Sequence, residues 1–176
     1  MNVVGTCPTP AVPAALAAAA GDGAARGGYV LAEALDADPG AAAPDVVLVA
    51  AGGEVPAALD ARRILQREGI ATRVVSMPCA AWFRQQSRAY RDAVLPPGAP
   101  ATVSVGAGAA VGRYQLLGEA GGSVDTGGTG ENAVLASCGH GLFDHDGLTA
   151  ERVAATARAT LARAAGAARA GERGRL

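Results

Sequence analysis

The 176-residue chain is half hydrophobic but only 3% aromatic, so Ala, Val and Leu must fill its core. That length suits one domain burying roughly 70% of its unfolded surface. A net charge of −1, with every basic residue an arginine, excludes an electrostatic case for nucleic acid or an anionic membrane.

Residues 1–28 are rich in Pro, Ala and Gly with little periodicity and read as an extended N-terminal arm or linker. The run AVPAALAAAA is too short and Ala-rich to span a bilayer, and the opening MNVVGTCPTP lacks a basic start, so a cytoplasmic location is expected. YVLAEA (29–34) reads as a short strand, and DADPGAAAPD supplies turn residues before DVVLVAAG (45–52), a strand buried on both faces. In the following EVPAALDARRILQREG, Val55, Ala58, Leu59, Ile64 and Leu65 share one helical face. Pro56 suits the first turn of that helix and Gly69 its stop.

The alternation continues with ATRVVSM (71–77) as a strand, AAWFRQQSRAYRDAVL as one helical segment and ATVSVGAG (101–108) as a strand. AAVGRYQLLGEAG reads as a helix, GGSVDTGG as a short strand with turns, and LTAERVAATARATLARAA as a closing helix. Thr149 can cap that last helix, and Val153, Ala157, Leu161 and Ala164 form its apolar stripe. The arginines Arg158, Arg163, Arg169, Arg173 and Arg175 read as a solvated helix face and tail. Strands alternating with helices predict a three-layer α/β/α domain over residues 29–166, with a central sheet of about five mostly parallel strands and right-handed crossovers. Residues 167–176 read as a polar tail.

Several clusters could carry chemistry. Gly106, Gly108 and Gly112 follow a strand in GxGxxxG spacing, with Asp125 ending the next strand, as a dinucleotide site would need. Too few residues remain for the rest of such a domain, and a chain with 25 glycines makes these spacings cheaply. Cys138, His140, Asp144, His145 and Asp146 are metal-ligand types in a loop, with a polar surface turn as the simpler reading. Cys79 stands at a strand-to-helix junction, where a helix dipole favours a thiolate, but no histidine is near it in sequence and a packing role is the simpler reading. Glu54 follows a Gly-Gly turn at a strand end and reads either as part of a ligand crevice or as a favourable acid in a first helical turn. Cys7, Cys79 and Cys138 are odd in number and never in CxxC spacing, which argues against a disulfide framework.

One stretch carries more. SMPC (76–79) followed by Phe83, Gln86, Tyr90-Arg91 and VLPP (94–97) resembles a run in the C-terminal domain of transketolases. ARGGYVLAEA, DVVLVAAGGEV, GIATRVVSMPC, VSVGAG and GLTAERVAATA are similar to further segments of that domain, in the same order, over residues 25–165. The resemblance implies that YVLAEA is an antiparallel edge strand and that Trp82, Phe83 and Tyr90 pack their helical segment onto the sheet. It further implies a supporting domain in an enzyme that moves ketol groups between sugar phosphates on thiamine diphosphate and a divalent metal, usually magnesium. The expectation is a non-catalytic subunit of a split transketolase-like enzyme. No catalytic, cofactor-binding or metal residue is carried over to this chain, and partner chains would hold the cofactor in a hetero-oligomeric or dimeric assembly. Gly53, Glu54, Gly106 and Gly108 are kept as a weak ligand crevice. The competing readings are a protein-binding module and a small-ligand or dinucleotide binder that kept the fold. Departures from the family pattern are Gly106 in place of a Glu, Gly53 in place of a helix-capping Ser, GGTGEN at 127–132 in place of a Phe- and Pro-containing turn, and SCGHGLFDHD as an insertion.

Overall fold

The computed structural model describes residues 21–34, 43–106, 122–124 and 148–173. Five strands form one sheet: β1 (Tyr29–Ala32), β2 (Val46–Ala50), β3 (Thr72–Ser76), β4 (Ala101–Val105) and β5 (Gly122–Val124), in the order β1-β3-β2-β4-β5. Among the described residues four α-helices accompany them: α1 (Val55–Arg67), α2 (Ala80–Arg84), α3 (Arg88–Val94) and α4 (Ala150–Arg173). β1 runs antiparallel to β3 at the sheet edge, and the other pairings are parallel. The α/β fold with one antiparallel edge strand is as expected.

Strand β2 explains the architecture. All five of its residues are buried, because a central parallel strand is covered on both faces and must be apolar throughout. Val46, Leu48 and Ala50 face a core built from α1 and α4. Val47 and Val49 face a second, smaller core with Met77, Phe83 and Val94. From β2 the chain steps through α1 to β3 on one side; from β3 it steps back across β2 through α2 and α3 to β4. Connections of one hand that step in opposite directions lie on opposite faces, which is how the two cores divide.

Helix α1 ends where Gly69 takes φ +78°. The Gly69 N–H donates to Gln66 O at 3.1 Å and the Ile70 N–H to Leu65 O at 3.0 Å, a Schellman stop with Ile70 packed on the same core as Leu65. Val55, Ala58, Ala61 and Leu65 are buried, with Leu59 and Ile64 at the margin. Helix α4 starts as expected, the Arg152 N–H donating to Thr149 Oγ1 at 3.3 Å. Val153 and Ala157 are buried as expected, together with Ala154 and Thr160.

Three boundaries differ from expectation. The segment after SMPC is two helices, because Ser87 accepts the Tyr90 N–H on its hydroxyl at 3.3 Å and starts α3 afresh. The end of the expected arm is docked: Gly27 is buried against the start of α2 and Gly28 against Met77 and Phe83. Helix α4 continues through residue 166 to Arg173, since its Ala- and Arg-rich sequence is a good helix former with or without a packed face.

Candidate functional site

In an open parallel sheet, ligands bind outside the carboxyl ends of neighbouring strands whose connections leave in opposite directions. Here those strands are β2 and β4. The loops there bring Gly53 and Glu54 to one wall, in a 3-10 turn over Gly52–Glu54, and Gly106 to the other. Gly108 lies outside the described residues. Glu54 is only 6% exposed and immediately precedes α1. An acid in this place is favourable because the amide dipoles of a helix start are positive. The same carboxylate opposes a pyrophosphate that would need those amides. Among the described residues, the crevice thus has the position of a ligand site and sets an acid, Glu54, beside the amides of the helix start. Among the described residues no three His, Cys, Asp or Glu side chains converge on a point where a metal could sit. Gly112, Asp125, Cys138, His140, Asp144, His145, Asp146 and Cys7 lie outside the described residues.

Cys79 occupies the position before α2 and is half-buried. Its backbone is the working part: the Cys79 N–H donates to Gly27 O at 3.0 Å, and Cys79 O accepts the Phe83 N–H at 3.1 Å. Its sulfur makes no cap for the helix. These contacts fit a packing residue, and α2 has only five residues.

A closely packed region joins the RGGY and SMPC stretches. Gly27 takes φ +85°, and a Cβ there would lie 2.3 Å from Cys79 O and 2.6 Å from Phe83 N. At Gly28 a Cβ would lie 2.6 Å from Met77 Sδ. Only glycines let the backbone approach this closely. Tyr90 closes the arrangement, its hydroxyl donating to Gly28 O at 2.8 Å. The Arg26 guanidinium stands 4.8 Å from the Tyr90 ring centre, and the Phe83 ring 6.2 Å away. Phe83 and Tyr90 thus hold their segment on the sheet as expected. Trp82 does not: it is 55% exposed, since the next residue along a helix is turned about 100° away from the position that buries Phe83.

Sequence reasoning missed the ionic clasp at the other end of this face. Arg73 donates from Nε and Nη2 to both carboxylate oxygens of Glu33, at 2.9 and 3.2 Å. Its Nη1 donates to Ala93 O and Val94 O, the carbonyls ending α3, at 2.7 and 3.2 Å. One guanidinium thereby ties β3 to the residue following β1 and to the end of α3. A lone charged residue in the TRVVSM strand was the available signal. Arg62 makes a parallel tie from α1, its Nε donating to Glu33 O and Thr72 O at 2.9 and 3.2 Å. On the opposite face, Arg158 of α4 pairs with Glu68 through two 2.7 Å bonds and holds that carboxyl below its usual range.

Comparison with known proteins agrees with this geometry. Residues 27–140 match the family described as transketolase-like TK C-terminal domain. The transketolase of Mycobacterium tuberculosis (strain H37Rv) is 47% identical over 140 residues, covering 80% of this chain and 19% of that protein. The solved transketolase from Leishmania mexicana superposes with a TM-score of 0.63 at 34% identity, over 81% of this chain and 19% of that one. A structure titled as a split gene transketolase, an inactive beta4 tetramer, gives a TM-score of 0.52 at 28% identity, over 77% of this chain and 42% of that one. The chain spans about a fifth of the length of the curated transketolases it matches. No helix among the described residues is long and apolar enough to cross a membrane. The sheet order, the glycine docking and the match along residues 27–140 lead to one assignment: this chain belongs to the transketolase-like C-terminal domain family.

Proposed function

We propose that this chain is the non-catalytic C-terminal part of a transketolase-type assembly that transfers ketol groups between sugar phosphates. In this reading, thiamine diphosphate and its magnesium are held by domains supplied by a partner chain, and this domain stabilises their association. The observation that carries it is the family match over residues 27–140, which falls on the C-terminal domain alone. The donor set of the crevice supports it: a buried Glu54 at the helix start suits a structural turn better than a diphosphate. The similarity to a chain titled as a split gene transketolase supports assembly from more than one polypeptide.

Anything that binds only the assembled state stabilises it by mass action, so the domain would contribute by adding contact surface rather than reacting groups. The test is co-expression with a chain carrying the two remaining transketolase-type domains, followed by a ketol-transfer assay with and without this chain. Activity and thermal stability are expected to rise with this chain present. Unchanged activity and stability would overturn the proposal, as would ketol transfer by this chain purified alone.

A further inference from the structure

Helices α1 and α4 pack broadly on each other and on the strands they cover, whereas neither α2 nor α3 packs broadly on any other element. With five and seven residues, these two are also far too short to hold as isolated helices. Two roots join their layer to the sheet. At its start the Met77 N–H donates to Ala50 O at 2.8 Å. At its end Arg73 Nη1 donates to Ala93 O and Val94 O. Between the roots, Phe83 and Tyr90 rest on the smaller core.

The middle of the layer is held by a segment from elsewhere in the chain. Residues 21–28 form a strap, closed on itself by the Arg26 N–H to Gly23 O and the Gly27 N–H to Ala24 O, both at 3.1 Å. Most of the strap is exposed, while Gly27 and Gly28 are buried. Two bonds run between it and the layer: Gly27 O accepts the Cys79 N–H, and Gly28 O accepts the Tyr90 hydroxyl. The Arg26 guanidinium also covers the Tyr90 ring. If either the strap or the layer lifted alone, it would leave polar groups of the other without their partners, which is costly where those groups are buried. The two are therefore coupled. Their place in the fold gives the coupling a consequence. Strand β3 ends level with β2, Ala50 standing opposite Ser76, so the layer starts at the end of the sheet where Gly53 and Glu54 stand.

We infer that residues 21–28 and the α2–α3 layer form one flap at the crevice end of the sheet, latched through Gly27 O and Gly28 O, which opens as a unit while β2, β4, α1 and α4 stay folded. Opening uncovers Val47, Val49 and Val75 on the face that the smaller core covers. Elements with few buried apolar contacts open below the free energy of global unfolding, and lids are drawn from them.

Native-state hydrogen exchange on the purified full chain, read amide by amide by NMR, tests the flap in the parent chain, Y90F and G69A. In the parent, the amides of Gly27, Cys79, Phe83 and Arg91 are expected to share one opening equilibrium. It should exceed that of Leu48 and Val103, in β2 and β4, by about tenfold or more. Y90F removes a latch bond and should raise opening at all four amides by about fivefold. G69A strains the end of α1, on the opposite face, and should speed Leu48 and Val103 by about tenfold while leaving the four unchanged. If the four exchange as slowly as Leu48, or accelerate with it in G69A, they open only with the whole domain and the flap is refuted. If Y90F speeds Gly27 but not Cys79, Phe83 and Arg91, the strap frays by itself and the latch is refuted.

Discussion

Replacing Gly27 with alanine tests whether the domain begins with a docked segment or a loose arm. At φ +85° an alanine carries left-handed strain of about 1–2 kcal/mol. Its Cβ would also stand 2.3 Å from Cys79 O and 2.6 Å from Phe83 N, well inside the 3.4–4 Å of ordinary contact. Both atoms are backbone of the first turn of α2, so the relief must come from moving backbone, at about 1–3 kcal/mol. The 3.0 Å bond from the Cys79 N–H to Gly27 O loosens as well, costing about 1 kcal/mol. The sum is roughly 3–6 kcal/mol, a large share of a typical domain's stability. Gly69 is the internal control: its φ is +78°, but a Cβ there meets nothing within 4 Å, so G69A should cost only the strain, about 1–2 kcal/mol. Urea unfolding followed by far-ultraviolet circular dichroism measures both. If the two variants unfold within about 0.5 kcal/mol of each other, below the smallest overpacking term, the close approach at Gly27 is refuted.

The Arg73 clasp predicts that R73M loses about 1.5–3 kcal/mol, the range for charge-assisted hydrogen bonds, while E33Q loses less because the bonds to the α3 carbonyls survive. A double-mutant cycle by chemical denaturation should give a coupling of the stabilising sign; additive losses would show that the pair does not act together. For the Glu68–Arg158 pair, the folded carboxyl titrates below its unfolded value because Arg158 bonds the charged form. Its stabilisation is therefore present above the ordinary carboxylate range and lost as pH falls through the lowered folded value. R158A should lower the melting temperature at pH 7 and in low salt, with the difference from the parent chain vanishing at strongly acidic pH; a difference that persists there would point to packing instead. F83A should cost about 3–5 kcal/mol, because the ring is 1% exposed in the smaller core. Y90F should cost about 1 kcal/mol for the lost bond to Gly28 O. Equal effects of F83A and Y90F on the unfolding midpoint would contradict the burial assigned to Phe83.

The strands were legible because burial on two faces forces continuous apolar runs, and VVLVA admits no other reading as a strand. The stop at Gly69 was legible for a local reason, since one glycine after an amphipathic run supplies the positive φ that a Schellman turn needs. Resemblance in order along the chain supplied the antiparallel β1 edge, which no local pattern in YVLAEA demands. The break between α2 and α3 escaped a periodicity reading, because Phe83, Tyr90 and Val94 keep helical spacing across it while Ser87 caps a new helix. Gly53, Glu54 and Gly106 lie at the carboxyl ends of β2 and β4, with Gly108 outside the described residues. That Glu54 is buried there depends on how α1 seats, which spacing does not encode.

By itself, then, the sequence determined the alternation of strand and helix, their apolar faces and the family, all of which follow from periodicity, turn residues and ordered short motifs. Tertiary structure alone decided that Gly27 and Gly28 lie against residues some fifty positions away, that Arg73 joins β3 to Glu33 and to the end of α3, and that Phe83 is buried while the adjacent Trp82 faces outward. These are contacts between segments distant in the chain. Their energies depend on distances of an ångström or less, and such distances exist only once the sheet has brought the segments together.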